Sequence, residues 1–366
     1  MNTSAGMSMN LAGYAGLDAS AEDVGGPAQP LLIVNDLRKH FTVRGGPSFE
    51  PCGGPPQRVK AVDGISFQVL KGETLAVVGE SGCGKSTTAK LIARLINADS
   101  GELVFDGLGV EQFGGLALKD FRRQLQMVFQ DSHASLNPRM PVGEAVAYGP
   151  RVHGLSAAAA RERAHALLDR VGLAPGLYAQ RYPHELSGGQ RQRVNIARAL
   201  AFQPRLLILD EAVAALDKSV QAQVLNLLQE LKAEHGLTYL FISHDLHVVH
   251  YIADRVLVMY LGQVVESGPV DALFKHARHP YTRALLSAVP TMDPARRTQQ
   301  SPLQGDPPNP INPPSGCRFR DRCPMARQVC ELRVPVMRED SHGHRAACHF
   351  DPAFSEPAVF SVEQMT

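Results

Sequence analysis

The sequence predicts an α/β fold organised on a parallel sheet, and three observations carry that prediction. The apolar strand Thr74–Val78 runs straight into a glycine-rich loop and then a helix. A second run, Leu206-Leu207-Ile208-Leu209 after Arg205, is apolar without alternation and ends in Asp210-Glu211. A third apolar strand, Tyr239–Ile242, is followed by Ser243 and a lone histidine, His244. Continuous apolar runs of this length are buried on both faces, as parallel strands covered by helices are. Ligands of such sheets bind beyond the carboxyl ends of the strands, so these strand ends are where chemistry is expected.

The first of them reads Gly79-Glu80-Ser81-Gly82-Cys83-Gly84-Lys85-Ser86, with Thr87 next, and opens a helix expected from Lys85 to Ile96. G-x-x-x-x-G-K-S between a strand and a helix is the phosphate-binding loop of P-loop NTPases. Its glycines let backbone N–H groups turn onto phosphate oxygens, and the helix N-terminus adds partial positive charge. Lys85 is expected to bridge the β- and γ-phosphates of ATP, and Ser86 to ligate Mg²⁺. At the second strand end, Asp210 is expected to hold Mg²⁺, directly or through water, and Glu211 to polarise the attacking water as general base. An Asp-Glu pair alone reads as a helix N-terminal turn; after a phosphate loop and a buried strand it reads as catalytic.

Between these segments lies Leu186-Ser187-Gly188-Gly189-Gln190, followed by Arg191-Gln192-Arg193. Ser187 is placed as an N-cap ahead of helix-favouring residues from Gln190 to Leu200. Many P-loop proteins have the loop and the acidic strand; very few have this pentapeptide between them. Here the sequence resembles the ABC transporter ATPase family, whose signature it matches. The resemblance implies an ABC-type nucleotide-binding domain with a helical subdomain, working as a pair of subunits. Ser187, Gly188, Gly189 and Gln190 would then bind the γ-phosphate held by the opposite subunit, again a helix N-terminus facing an anion.

Further roles follow from the resemblance. Gln130, after Met127-Val128-Phe129, matches the glutamine that touches Mg²⁺ and the lytic water and senses the membrane partner. His244 matches the histidine that contacts the γ-phosphate. Phe41, in Lys39-His40-Phe41, is the expected adenine platform; tyrosine is commoner there, but stacking needs only a π-face. After Glu211 the chain reads Ala212-Val213-Ala214-Ala215-Leu216-Asp217, where the commonest family pattern is Pro-Thr-Ser-Ala-Leu-Asp. Asp217 is retained among the nucleotide-site residues. Ala214 replaces a serine whose hydroxyl bridges the two subunits, which removes one hydrogen bond worth about 0.5–1.5 kcal/mol.

Composition bounds the rest. The chain has 366 residues, with 37 Lys and Arg against 36 Asp and Glu, a formal net charge of +1. That balance gives no reason to expect a nucleic-acid partner. No stretch approaches the ~20 apolar residues needed to span a bilayer. The first basic residue is Arg38, so the N-terminus lacks the basic region of a signal peptide. A position at the cytoplasmic face of the inner membrane, reached through a separate membrane-spanning partner, is the expectation.

The chain divides unevenly. Residues 1–30 are small, polar and Gly-rich and read as disordered, and Gly45–Gln57 reads as a loop between two early strands. The ATPase domain is expected over 31–268, with a helical subdomain at about 131–184 that includes a helix over Ala157–Val171 with apolar Ala166, Leu167 and Val171. Residues 269–315 connect and link, 316–350 form a small Cys-containing C-terminal extension, and 351–366 are a tail. His279-Pro280-Tyr281-Thr282-Arg283-Ala284-Leu285-Leu286, then Gly316-Cys317-Arg318-Phe319-Arg320-Asp321-Arg322-Cys323-Pro324, and the core run Val220–Leu228 resemble the ATPases of dipeptide and oligopeptide importers. Glu211-Ala212-Val213 looks more like the second member of the paired ATPases.

Six cysteines are present, four of them in the extension. Disulfides are unfavourable in a reducing cytosol. Cys317, Cys323, Cys330 and Cys348 have neither ferredoxin nor zinc-ribbon spacing; the resemblance favours a [4Fe–4S] cluster, with Zn²⁺ or free structural thiols as alternatives. The function implied is an ATPase subunit driving peptide uptake. Its expected partners are a second ABC ATPase, two membrane-spanning permease subunits and, indirectly, an extracytoplasmic peptide-binding protein. Glutathione and nickel chelates are alternative cargoes. A soluble ABC ATPase acting on DNA or ribosomes is the rival, though one signature and no sustained heptads speak against it. An exporter ATPase differs only through the tail.

Overall fold

The structure, a computed structural model, describes residues 29–43, 57–111, 115–288, 305 and 309–354. The expectations for residues 1–28, for most of the Gly45–Gln57 loop, for much of the linker and for the last residues lie outside the described residues.

Twelve strands are formed among the described residues: β1 (Pro30–Val43), β2 (Gln57–Leu70), β3 (Thr74–Val78), β4 (Ser100–Phe105), β5 (Leu108–Gly109), β6 (Leu125–Val128), β7 (Leu206–Asp210), β8 (Thr238–Ile242), β9 (Arg255–Tyr260), β10 (Gln263–Pro269), β11 (Arg338–Glu339) and β12 (Arg345–Ala346). They make two sheets, one in the order β2-β1-β4-β5 and one in the order β11-β12-β10-β9-β3-β8-β7-β6. The first is antiparallel. In the second, β6, β7, β8, β3 and β9 run parallel, and β10, β12 and β11 continue it antiparallel.

The parallel strands are buried on both faces because their side chains alternate between two cores. Leu206 and Ile208 of β7 face a core shared with the antiparallel sheet, together with Leu75, Val77, Leu240 and Ile242. Leu207 and Leu209 face the opposite core, where helices from the middle of the chain pack. A third cluster joins Ala76 and Val78 of β3 to Val256, Val258 and Tyr260 of β9, and extends to Tyr281 and Phe319.

The helix after the phosphate loop spans Lys85–Ile92, four residues shorter than expected. Arg94, two residues beyond it, takes a left-handed φ of 53°, which a continuing helix does not allow. Between β6 and the signature segment lie helices Val142–Val152 and Ala157–Arg170 and the short Pro175–Tyr178. Ser156 caps the second, its hydroxyl accepting from the Ala159 N–H at 3.2 Å. That helix buries Ala160, Ala164 and Leu168, a stripe at four-residue spacing, while Ala166 stays exposed. Of the residues first expected on that face, Val171 is buried and Leu167 packs against the same core, and Ala166 alone points outward.

The C-terminal extension is not a separate knob. β12 pairs with β10 through Glu266–Ala346 and Ser267–Arg345, so the extension completes the edge of the main sheet. A buried polar network locks the join. Glu266 accepts the backbone N–H groups of Arg278 and His279 at 2.7 and 2.9 Å and pairs with His344 Nε2 at 2.7 Å. The Arg278 guanidinium spans Asp351 and Asp340, donating to Asp351 Oδ1 at 2.8 Å and to Asp340 Oδ2 at 3.0 Å. Each buried charge thus has a partner, the condition under which burial is tolerated.

Candidate nucleotide site

The loop that leaves β3 curls over the start of helix Lys85–Ile92. Two glycines are held there by close approach as well as by φ. Gly84 has φ 111°, and a Cβ on it would sit 2.3 Å from the Ala61 carbonyl oxygen; Gly79 has φ 151°, and its Cβ would sit 2.2 Å from the Met259 carbonyl oxygen. The loop is therefore wedged between β2 and β9 with no space for a side chain at either point. Lys85 is buried, and its ammonium donates to the Gly79 and Glu80 carbonyls at 2.8 and 3.0 Å. Cys83 is buried beneath the loop, and burial raises its thiol pKa, against the nearby Lys85 charge. Gly82 and Ser81 are exposed, and Thr87 follows Ser86 in the first turn of the helix.

The three parallel strand ends meet beside this loop. Asp210 pairs with Ile242 across β7 and β8, and the Glu211 N–H donates to the Ile242 carbonyl at 3.0 Å. Ser86 Oγ donates to Asp210 Oδ1 at 3.0 Å, joining residues 124 positions apart. Burial raises the Asp210 pKa; the Ser86 hydroxyl opposes the rise, the neighbouring Glu211 charge adds to it, and Lys90 and Lys85 oppose it. A largely buried carboxylate beside a hydroxyl is a set of hard oxygen donors, the kind Mg²⁺ takes, so Ser86 and Asp210 fit the ion. Next to them, Gln130 Nε2 donates to Glu211 Oε2 at 2.8 Å, and His244 Nδ1 lies 3.4 Å from Glu211 Oε1. Glu211 itself sits at a left-handed φ of 48°. A non-glycine residue held there is strained, and such strain gathers where a side chain must be aimed.

Ser187 caps the helix Gly188–Leu200 in a reciprocal box. Its Oγ accepts from the Gln190 N–H at 3.3 Å, and Gln190 Oε1 accepts from the Ser187 N–H at 2.9 Å. Gln190 Nε2 also donates to the Tyr178 hydroxyl at 3.2 Å. Gly189 is buried against the next helix, where a Cβ would lie 2.4 Å from Val220 Cγ1. Among the described residues, these side-chain bonds run within the segment and to Tyr178, and none reaches the phosphate loop. Asp217 is exposed and starts the helix Lys218–His235 without a side-chain cap bond; Ala214, in the turn before it, is exposed too. Phe41 lies in β1 opposite Val59, 41% exposed, with Lys39 Nζ 5.6 Å from its ring centroid. It is two residue pairs from Ala61, whose carbonyl abuts Gly84, so an exposed aromatic face stands at the rim of the loop.

The four C-terminal cysteines lie close together, but the geometry gives no support to the expected cluster. Cys317, Cys323, Cys330 and Cys348 line one cavity of about 10 Å³ with Phe319, Met325 and Phe350. That is room for about one water-sized sphere. Burial pushes the Cys317 and Cys348 thiols up to about 11 and raises Cys323. Among the described residues, no group of three or more His, Cys, Asp or Glu side chains could hold a metal ion. The [4Fe–4S] expectation is therefore not supported.

Two contacts on the phosphate loop were not anticipated. The Glu80 N–H donates to the Tyr281 hydroxyl at 2.8 Å, and Arg322 grips the Glu80 carboxylate. The His279-Pro280-Tyr281 run was noticed as a subfamily mark, but nothing in the sequence said that it folds back 201 residues onto the loop.

Comparison with known proteins fits this geometry. The ABC transporter family matches residues 62–214, and the oligopeptide/dipeptide transporter C-terminal region matches 265–330. The oligopeptide transport ATP-binding protein OppF of Salmonella typhimurium is 49% identical over 322 residues, covering 87% of this chain and 95% of its own. A putative peptide import ATP-binding protein of Brucella ovis is 48% identical over 320 residues, covering 87% and 97%. Among solved structures, cbiO1 of Clostridium perfringens, part of the ABC transporter complex cbiONQ, matches with a TM-score of 0.56 and 29% identity over 68% of this chain and 91% of that one.

Proposed function

This chain belongs to the ABC transporter family, and from that premise we propose how an ATP-hydrolysing subunit of an oligopeptide importer uses the site described above. The observation that carries the reading is the placement of Glu211 between Gln130 and His244, directly beside the Ser86–Asp210 pair.

ATP enters along the phosphate loop. Lys85, whose ammonium donates to two loop carbonyls, turns its hydrogen bonds to the β- and γ-phosphates, and the N–H groups at the start of its helix face the same oxygens. Ser86 and Asp210 would hold Mg²⁺, which would supply charge neutralisation at the phosphates. Glu211 orients the attacking water and accepts its proton, while Gln130 fixes one carboxylate oxygen and His244 stands by the other. Phe41 offers a stacking face for adenine.

The segment Ser187–Gln190 has its helix N-terminus free of the loop in its own chain, which supports a role on ATP held by a second ATPase subunit, identical or not. Closure of two subunits around two nucleotides, and release on hydrolysis, is then the motion passed to two membrane-spanning permease subunits. Among the described residues no helix is long and apolar enough to cross a membrane. The place this reading gives the chain is peripheral, on those subunits at the cytoplasmic face. The cargo, a peptide delivered by an extracytoplasmic binding protein, is chosen outside this chain. No step is assigned to the cysteine quartet. Reconstitution with its companions in vesicles tests the reading: ATP-dependent inward movement of labelled peptide is expected, and ATP turnover without peptide entry would refute import.

A further inference from the structure

Glu80, the second residue of the phosphate loop, has all its polar groups engaged. Its carbonyl accepts from Lys85 Nζ at 3.0 Å and from the Cys83 N–H at 3.3 Å, both within the loop. Its other groups face the appended C-terminal part of the chain. The N–H donates to the Tyr281 hydroxyl at 2.8 Å, and Tyr281 is fully buried against Tyr260 and Phe319. The carboxylate takes two parallel bonds from one guanidinium: Arg322 Nη1 to Oε2 at 2.7 Å and Nη2 to Oε1 at 3.0 Å. The Arg322 side chain is 6% exposed and that of Glu80 22%, so the pair is shielded from solvent more than a surface ion pair is. Arg322 is itself braced, with Nη1 3.5 Å from the Tyr260 hydroxyl. It closes the turn Arg320–Arg322, just before Cys323.

We propose that Arg322 is a positioning residue of the nucleotide site, acting through Glu80 from the C-terminal extension. Two physical effects follow from the geometry. A bidentate guanidinium–carboxylate pair fixes orientation as well as distance, so it sets the Glu80 backbone whose carbonyl holds Lys85. It also neutralises a carboxylate carried on the loop that must receive a polyanion. Without Arg322, that carboxylate would stand unpaired beside the incoming triphosphate and repel it. The extension is then part of the ATP site in the same chain. This rests on the ATPase reading above.

The test uses the complete chain assembled with its partner subunits. ATP KM and kcat are measured for wild type, R322A, R322K and the double variant R322A/E80Q, and binding of a fluorescent ATP analogue is measured on the same proteins. R322A should raise KM and weaken analogue binding about tenfold, with kcat within about twofold. R322K, which keeps the charge and loses the fork, should recover part of the affinity. R322A/E80Q should recover most of it, because the carboxylate left unpaired is gone. A merely structural role for Arg322 predicts no rescue by E80Q. Unchanged KM in R322A, or an R322A/E80Q double variant as weak as R322A, overturns the proposal. Should R322A fail to fold, R322K carries the test, and a KM equal to wild type overturns it. A wild-type assembly that neither binds nor hydrolyses ATP overturns the ATPase reading and this inference together, whereas failure confined to the variants strikes the inference alone.

Discussion

Replacing Glu211 with Gln separates the chemistry of this site from its architecture. The amide has the size of the carboxylate, so one oxygen can still accept from Gln130, 2.8 Å away, and the NH₂ group can face His244, 3.4 Å away. The backbone at φ 48° is no more strained for Gln than for Glu. ATP binding should hold within about threefold. What is lost is the proposed proton acceptor for the attacking water, and removing a positioned base costs about 10²–10⁴ in rate, or about 3–5 kcal/mol of barrier. Glu211→Asp separates the two effects further, because it keeps the base and withdraws it by about one methylene. Displacements of about 1 Å cost about 10²-fold. The assay is single-turnover phosphate release from the assembled transporter at saturating ATP, with ATP-dependent subunit association followed in parallel. Glu211→Gln should accumulate closed, ATP-bound pairs. Turnover within about threefold of wild type in that variant would remove Glu211 from its place in the mechanism.

Other outcomes follow from individual contacts. Lys85→Ala removes the ammonium now held by two carbonyls and should weaken ATP binding about 10²-fold by calorimetry, since hydrogen bonds to charged groups are worth about 1.5–3 kcal/mol each. Gly84→Ala puts a methyl 2.3 Å from the Ala61 carbonyl oxygen at a left-handed φ, so it should lower the thermal midpoint by several degrees and impair binding. His279 is buried and its pKa is lowered to about 4 by desolvation. The unfolded chain takes up that proton near pH 6.5 and the folded chain only near 4, so stability is lost as pH falls through that window, by about 3 kcal/mol in total. His279→Asn can still accept from the Tyr281 N–H and should flatten that part of the slope in urea titrations across the window.

Much of the placement of the candidate site was legible because it is local. The loop, the two acids and His244 each stand at the end of an apolar run, and the hydrophobic pattern alone put those runs in one sheet. That Ser86 would bond Asp210 required only that β3 and β7 lie in the same sheet with a shared direction. The helix after the loop was misjudged by four residues, since a single left-handed residue, Arg94, stops it and arginine gives no signal of that conformation. On the helix Ala157–Arg170, Leu167 was rightly set toward the core and Ala166 was not: Ala166 and Ala164 look alike in sequence, and tertiary packing decides which is covered. The cysteine cluster was read from the resemblance and from thiolate chemistry, neither of which says how much space lies between the thiols. Its contacts with the loop through Tyr281 and Arg322 join residues 201 and 242 positions apart. No short-range pattern encodes such reach.

The pairing of β12 with β10 has one more consequence. A sheet border with bare amide and carbonyl groups invites adhesion to other chains. Here that border is stitched shut by Arg345 and Ala346, which lie between Cys330 and Cys348. An attempt to trim the molecule back to its nucleotide-binding half, by ending it after Pro269, would strip this selvedge and uncover β10 along its outer side. The hydrolytic engine and its appendage are woven on a single loom, and no cut along the backbone releases one without fraying the other.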